Sequence, residues 1–360
     1  MPGDDYIFSF STIDCGGPAA KIHAVQGFTS TSPHEGYVVT VQGIVVGDFQ
    51  RTAEDNHLSG FFVQEETADW DEDDRTSEGI FVYEGSSSLL NVQVGDLVRL
   101  TGEVDEQYEL TQIETLEELG RCSSGHPVTA TAITLPESVN GELERYEGML
   151  VKVVNDMTVA QNYFLGRYGQ MTLSSSGRMF QPTNQFLPGS GEAEALANAN
   201  ARNLLILDDG LDASSCGDNP DPTPYLGPAP PKVIRAGDTV PNLVGVLDYG
   251  KINSGDPCYI WSSFARDYRL HPVQDPVFTQ TNPRPMEPAD VGGTLKVASF
   301  NVLNYFTTLG WEGDVCGPTG DMECRGAYTT SEFERQQTKI VEAMCTIDAD
   351  IFGLMELENQ

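Results

Sequence analysis

Basic residues are scarce in this chain of 360 residues, which has 20 lysines and arginines against 54 aspartates and glutamates, for a formal net charge of −34. A surface of this sign repels nucleic acid and anionic membranes, so it excludes binding that bulk electrostatic attraction drives. Any phosphate ligand would have to be held locally, and a metal ion would serve this purpose. Long apolar runs are also missing, so the sequence predicts no membrane span.

The first residues, Met1 to Asp5, lack the basic and apolar regions of a signal peptide. We therefore expect either an intracellular protein or one whose beginning is missing. CxxC pairs are absent too, which argues against a zinc site. Seven scattered cysteines instead favour an oxidised framework and a secreted or cell-surface location. We predict the disulfides Cys15–Cys122, Cys216–Cys258 and Cys316–Cys324, and a free, buried thiol at Cys345 on the apolar side of a helix.

The chain is long enough for two to three domains, of which the first two are predicted to be β-rich. Short alternating or apolar segments bounded by turn residues predict an OB-like β-barrel over residues 18–127. Residues 128–275 predict a second β-rich domain. It is also OB-like if the recurrence of Gly95–Asp96 as Gly237–Asp238, each before a strand, marks an internal repeat rather than chance. Residues 276–293 are rich in proline and predict a linker.

From residue 294 the pattern changes to strand, helix, strand. Leu295–Leu303 and Ala349–Leu357 indicate buried strands, and the helix between them is predicted to start at the capping box Ser331–Glu334. This order predicts the start of a layered α/β domain with parallel strands. Because a crossover brings the carboxyl ends of both strands to one edge, we expect Asn301 and Glu356 to converge there. Amide and carboxylate oxygens suit Mg²⁺.

Three segments in this region resemble the first motifs of the endonuclease/exonuclease/phosphatase superfamily. They are Lys296–Phe306 (KVASFNVLNYF), Phe333–Ile340 (FERQQTKI) and Asp350–Asn359 (DIFGLMELEN). The arrangement of the chain is similar to that of large bacterial extracellular nucleases, in which an OB-like domain precedes the catalytic domain. The resemblance implies a four-layer α/β sandwich that starts at residue 294. It also implies a secreted, metal-dependent nuclease that hydrolyses phosphodiester bonds of extracellular DNA, or of RNA.

The resemblance also implies roles for individual residues. Asn301 matches the asparagine at the family's metal and catalytic centre, and Glu356 matches its carboxylate ligand, with Glu358 as an alternative ligand. Mg²⁺ is the expected ion, with Mn²⁺ and Ca²⁺ as alternatives. The later motifs, which supply a histidine and aspartates, have no counterpart before Gln360. We therefore expect this chain to be the N-terminal part of the enzyme and to be inactive by itself.

Two other functions are open at this stage: a phosphoesterase of the same superfamily with a non-nucleic substrate, and a β-rich binding module without catalysis. Asp69–Asp74 is either a Ca²⁺ loop or a solvated turn, and Arg325 either contacts phosphate or is an ordinary surface residue. Aromatic residues of the first block form either a base-stacking platform or part of the core. They are Phe49, Phe61, Phe62, Tyr83 and Tyr108.

Overall fold

A computed structural model describes residues 14–51, 58–71, 73–85, 88–211, 225–226, 233–252 and 265–358. The chain divides into two compact units, Met1–Pro283 and Arg284–Gln360. The first unit is rich in β-structure, as predicted. Among the described residues, no helix is long and apolar enough to cross a membrane.

The strands of the described residues are β1 Val38–Phe49, β2 Gly60–Gln64, β3 Gly79–Tyr83, β4 Leu97–Glu106, β5 Thr111–Ser123, β6 Thr131–Ile133, β7 Leu150–Val153, β8 Met157–Gln161, β9 Met171–Ser174, β10 Leu204–Leu207, β11 Thr239–Val240, β12 Val244–Lys251, β13 Arg266–Pro272, β14 Val297–Tyr305 and β15 Ile351–Leu357. The helices are α1 Ile22–Gln26, α2 Leu165–Tyr168, α3 Gly191–Ala201 and α4 Thr330–Ile347. Short 3₁₀ segments lie at Thr67–Asp69, Glu142–Tyr146, Pro182–Asn184 and Gly310–Glu312.

The first five strands form a closed barrel in the order β1-β2-β3-β5-β4, as the sequence predicts. The long strand β1 pairs with β4 through its first half and with β2 through its second half, with an irregularity between Val45 and Gly47. A side chain at Gly43 would approach the carbonyl oxygen of Gln64 to 2.8 Å. Glycine therefore lets β1 coil closely against its neighbour and close the barrel.

The second block forms an eight-stranded sheet, β11-β8-β9-β10-β13-β12-β7-β6. Its pairings repeat those of the barrel: β8–β9 and β9–β10 are antiparallel, β10–β13 is parallel and β12–β13 is antiparallel. The consecutive strands β11 and β12 together correspond to β4, since β11 pairs with β8 and β12 with β13. In the same way β7 and β8 together correspond to β1, since β7 pairs with β12 and β8 pairs with β9 and β11. Strand β6 extends the sheet as a parallel neighbour of β7.

The recurring Gly–Asp turns have the same structure in both places. Gly95–Asp96 and Gly237–Asp238 each start with a glycine in the left-handed region, with φ of 90° and 95°. In the first turn the glycine N–H donates to the carbonyl of Val45 (2.9 Å), and the aspartate carbonyl accepts from the Val45 N–H (2.8 Å). The second turn makes the same two bonds with Val159, both of 2.8 Å. The sequence recurrence is thus also a structural one.

The barrel and the sheet share an apolar cluster within the first unit. It contains Val46, Phe49, Phe62, Phe81, Leu150 and Val246. Phe61 is fully buried in the barrel core. Of the two alternatives left open for the aromatic residues, core packing is therefore the outcome for Phe49, Phe61 and Phe62. Tyr83 and Tyr108 are 39% and 60% exposed.

Part of the predicted linker lies on the sheet. Thr279 exchanges two backbone hydrogen bonds with Thr239, of 2.7 and 3.0 Å, so the chain is still paired within 276–293. Thr279 thereby covers part of the edge of the sheet, since β11 is its last strand.

Strands β14 and β15 of the second unit are parallel and are joined by α4. The helix starts at Thr330, and its capping box consists of Thr329 and Glu332. The prediction of Ser331–Glu334 as the box is two residues off. Both pairs fit the S/T-x-x-E pattern, and the structure uses the earlier one.

Two predicted disulfides are present, Cys15–Cys122 and Cys316–Cys324. Cys216 and Cys258 lie outside the described residues. Cys345 is free, as predicted, but exposed rather than buried. Its apolar neighbours on α4 do not cover it.

Candidate functional site

Asn301 and Glu356 meet at the carboxyl ends of β14 and β15. The two strands run in parallel from Val297 paired with Ile351 to Asn301 paired with Met355. The side-chain amide of Asn301 donates a 2.7 Å hydrogen bond to Oε1 of Glu356. The convergence that the strand–helix–strand order predicts is therefore present, at the edge where open α/β sheets bind ligands.

The backbone around this pair is irregular. Leu303, Asn304 and Glu356 have φ of 56°, 51° and 63°, in the left-handed region that non-glycine residues rarely occupy. The Asn304 N–H donates to Oε2 of Glu356 (3.1 Å), and the Leu303 N–H donates to Oδ1 of Asn301 (2.8 Å). Such conformations cost free energy and are typical of functional sites. Here the two polar side chains stabilise them.

Helix α4 supports the same irregular segment. The side-chain amide of Gln336 donates to the carbonyls of Leu303 (2.7 Å) and Val302 (3.3 Å). The ring of Phe333 stacks on Tyr305 with centroids 5.0 Å apart. Gln336 was not singled out from the sequence, although it lies in the FERQQTKI segment that carries the resemblance. Its role is to hold the backbone that follows Asn301.

Glu358 is engaged differently from Glu356. Its Oε2 accepts from the N–H and hydroxyl of Thr307 (2.7 and 2.6 Å) and from the N–H of Thr308 (3.1 Å). The Thr308 hydroxyl donates to Oε1. These bonds lower the pKa of Glu358 to about 2. A carboxylate with so many donors suits loop anchoring better than metal binding, so Glu356 is the better candidate ligand.

The Asn301–Glu356 pair is exposed, and its oxygen atoms suit a hard divalent cation. Each carboxylate oxygen of Glu356 accepts one hydrogen bond and keeps further acceptor capacity. Arg325 is exposed beside the Cys316–Cys324 disulfide, as an ordinary surface arginine would be.

A second cluster, which the sequence did not reveal, lies in the barrel. His23 of α1 meets Glu65 and Glu78, which flank the loop between β2 and β3. Nδ1 of His23 lies 3.0 Å from Oε2 of Glu65 and 3.3 Å from Oε2 of Glu78. Both glutamates are buried. Burial, and then the nearby Glu65, raise the pKa of Glu78 to about 8.

Asp71, from the acidic run 69–74, lies on the opposite side of the His23 ring. Its Oδ2 is 3.8 Å from Nε2. Burial lowers the pKa of His23, but the surrounding carboxylates outweigh this effect and leave that pKa raised. Asp73 in the same run forms an ion pair with Arg75, so that part of the run is a solvated turn.

Comparison with protein-family models finds no match for this chain. Comparison with curated proteins finds none either. Among solved structures, the chain is similar to the hypothetical protein ygiW from E. coli, with 19% identity over 24% of this chain and 76% of that chain. The TM-score is 0.16, too low to support an inference about fold or function.

Proposed function

We propose that this chain contains the first part of a metal-dependent phosphodiesterase site of the endonuclease/exonuclease/phosphatase type, and that the enzyme is a secreted nuclease acting on DNA or RNA. The observation that carries the proposal is the 2.7 Å contact between Asn301 and Glu356 at the ends of two parallel strands. The left-handed backbone at Glu356 supports it, because side-chain hydrogen bonds hold an otherwise costly conformation.

Two features of the rest of the chain agree with this proposal. The closed five-stranded barrel has the strand number of an OB-fold, the domain that precedes catalysis in the nucleases this sequence resembles. The Cys15–Cys122 and Cys316–Cys324 disulfides favour an oxidising compartment, since cytosolic proteins rarely keep them. Both features support a secreted enzyme.

Glu356 would hold the ion through its carboxylate, and Asn301 would orient that carboxylate through its amide. A bound Mg²⁺ would neutralise charge on a phosphodiester and activate a water molecule. Gln336 would keep the segment after Asn301 in place through its two carbonyl contacts. The histidine and aspartates of the family's later motifs have no counterpart in these 360 residues, and all five histidines precede the second unit.

The test is a titration of the chain with Mn²⁺, followed by electron paramagnetic resonance, in the variants Glu356→Gln and Glu358→Gln. We expect Glu356→Gln to remove a binding site and Glu358→Gln to keep it, because the threonines already occupy Glu358. Loss of the site only in Glu358→Gln would show that Glu358, and not Glu356, binds the ion. An unchanged titration in both variants would overturn the proposed site.

Cleavage gives a second measurement. We expect the 360-residue chain to leave plasmid DNA intact with Mg²⁺ or Mn²⁺, because it lacks the histidine and aspartates that the mechanism requires. A chain extended through those residues should cleave it. EDTA-sensitive cleavage by the shorter chain, purified free of host nuclease, would contradict this division of the site.

A further inference from the structure

The His23 cluster brings together donors from three separate parts of the barrel. Helix α1 supplies the imidazole of His23, Glu65 directly follows β2, and Glu78 directly precedes β3. One ligand atom from each residue lies within 4.8 Å of the other two. The set is mixed, one nitrogen and two carboxylate oxygens, which differs from the surface groups of acidic residues common in a chain of this charge.

The backbone orients each carboxylate toward the same point. Oε1 of Glu65 accepts from the N–H of Ile22, at the start of α1. Oε1 of Glu78 accepts from the N–H of Asp71 at 3.3 Å. Each carboxylate is thus fixed through one oxygen, and its other oxygen points at Nδ1 of His23. The donors are arranged before any ligand arrives, which lowers the cost of binding.

Asp71 completes the pattern on the far side of the imidazole. A histidine that ligates a metal through one ring nitrogen commonly directs its other N–H to a carboxylate, which fixes the tautomer and makes the ring a better donor. Oδ2 of Asp71 lies 3.8 Å from Nε2, beyond hydrogen-bond distance, and it accepts from the Thr76 hydroxyl at 3.2 Å. Asp71 is therefore the nearest candidate for an outer partner and would have to move closer to the ring to bond to it.

The burial of the two carboxylates also favours a bound cation. The side chains of Glu65 and Glu78 are 2% and 7% exposed, and within the described part of the chain only the partly buried His23 forms an ion pair with them. Buried carboxylates are costly unless they are paired or bind a metal. A divalent ion would compensate both glutamates at once.

We propose that His23, Glu65 and Glu78 form a structural binding site for a divalent transition-metal ion, Zn²⁺ or Mn²⁺, that fastens α1 and the β2–β3 loop to the barrel. One imidazole and two carboxylates suit these ions, whereas Ca²⁺ prefers six to eight oxygen ligands. The site is independent of Asn301 and Glu356, which lie in the other compact unit.

The experiment titrates the full chain with Zn²⁺ by isothermal calorimetry, in excess Mg²⁺ to saturate weak surface carboxylates. Wild type should bind one Zn²⁺ in the barrel. Glu78→Gln should weaken this binding by at least about 10- to 100-fold, the loss typical of removing even an outer partner. The matched control Glu66→Gln should bind as wild type does, and Glu356→Gln reports whether the other unit takes up Zn²⁺.

Nuclear magnetic resonance of the histidine side chains gives a readout that needs no variant. The ring signals of His23 should shift with Zn²⁺ and broaden with Mn²⁺, while those of His126 stay unchanged. Equal Zn²⁺ binding in Glu78→Gln and wild type, or unshifted His23 signals at saturation, would overturn the site. Loss of binding in Glu356→Gln only would assign the ion to the other unit and also overturn it.

Discussion

At the scale of single residues, a group of mostly buried charges in the described sheet surrounds Arg269 on β13. Its guanidinium contacts Asp248 through Nη2 and Nε, at 2.6 and 3.0 Å, and Asp208 through Nη1 at 3.1 Å. Nε2 of the fully buried His271 lies 3.0 Å from Oδ1 of Asp248. Burial raises the pKa of Asp248, but Arg269 and His271 outweigh this, and the net pKa is lowered.

We expect Asp248→Asn to lower the free energy of unfolding at pH 7 by about 3 to 5 kcal/mol, the range for breaking a buried ion pair. Because the folded pKa lies below the unfolded value of about 3.9, the stabilisation is complete above that pH and is lost as the pH falls toward the folded pKa. Urea unfolding at pH 7 and pH 3 checks this. The variant should lose less stability between these pH values than wild type.

The exposed Asp275 provides the matched control, since Asp275→Asn makes the same substitution at the surface. It should leave both values close to wild type. Equal pH dependence in Asp248→Asn and wild type would show that the ion pair does not contribute to acid stability.

The sequence predicts which residues come together where the order of strands and helices fixes their positions. Asn301 and Glu356 could be found because parallel strands joined by a crossover end at one edge. Glu65 and Glu78 could not, because only the closing of the loop between them brings both to His23. The sequence of β1 and β2 also left open whether Phe49 and Phe62 are buried. Each lies on a surface of the barrel that packs against the sheet, and the local sequence does not show that this surface is covered.

At the scale of elements, the Gly–Asp turn is the most informative signal in the sequence. Asp96 accepts through Oδ2 from the N–H of Gln93 (2.9 Å), and Asp238 accepts through Oδ2 from the N–H of Arg235 (2.8 Å). In both cases the glycine adopts a left-handed φ, for which a side chain is strained. Because the turn requires both a glycine and an aspartate at fixed positions, its recurrence can be recognised in the sequence.

We expect Gly95→Ala and Gly237→Ala each to lower the free energy of unfolding by about 1 to 3 kcal/mol, the usual cost of a non-glycine residue in a disfavoured backbone region. A Cβ at Gly95 would lie 3.1 Å from the carbonyl oxygen of His126, and one at Gly237 would lie 2.9 Å from Cβ of Asn282. Chemical denaturation of both variants measures the effect.

Gly191 is the control for these variants because it starts α3 and a Cβ there would meet nothing within 4 Å. Gly191→Ala should be neutral or stabilise the protein, since alanine restricts the unfolded chain. Two neutral substitutions at Gly95 and Gly237 would contradict the claim that the repeated turn needs glycine.

The start of α4 shows what the sequence leaves undecided at this scale. Thr329 with Glu332 and Ser331 with Glu334 both match the capping pattern, and intrinsic preferences separate them little. The structure selects Thr329, whose hydroxyl accepts from the N–H of Glu332, and Glu332 in turn accepts from the N–H of Thr329. Which of the two capping boxes forms depends on the path of the loop that precedes α4, and this path is a property of the tertiary fold.

At the scale of the whole molecule, the disulfide prediction can be tested by counting the reactive thiols. We expect one thiol to react with Ellman's reagent in the native protein, at Cys345, because it is free and exposed. The same number should react after denaturation without reductant if Cys216 and Cys258 pair as predicted. Cys345→Ser should abolish the native reaction. Three reactive thiols after denaturation would show that Cys216 and Cys258 are reduced.

The net charge of −34 governs how the molecule meets a polyanion. Proteins that bind nucleic acid through basic surfaces release counterions, and lowering the salt strengthens them. This chain has too few cations for that effect, and three of the aromatic residues that could stack on bases are buried. If the proposed nuclease function holds, we therefore expect contact with a phosphodiester to depend on a bound divalent ion.

We expect no binding of a labelled single-stranded oligonucleotide in EDTA at low salt, by fluorescence anisotropy, and measurable binding only when Mg²⁺ or Mn²⁺ is present. The divalent ion screens repulsion in general, so Glu356→Gln is compared with Glu358→Gln at the same ion concentration. Weaker binding in Glu356→Gln alone would attribute the effect to the proposed site. A micromolar complex in EDTA that Tyr83→Ala or Tyr108→Ala weakens would instead identify the exposed aromatic side chains of the barrel as the nucleic-acid contact, since stacking contributes about 1 to 3 kcal/mol per base without any ion.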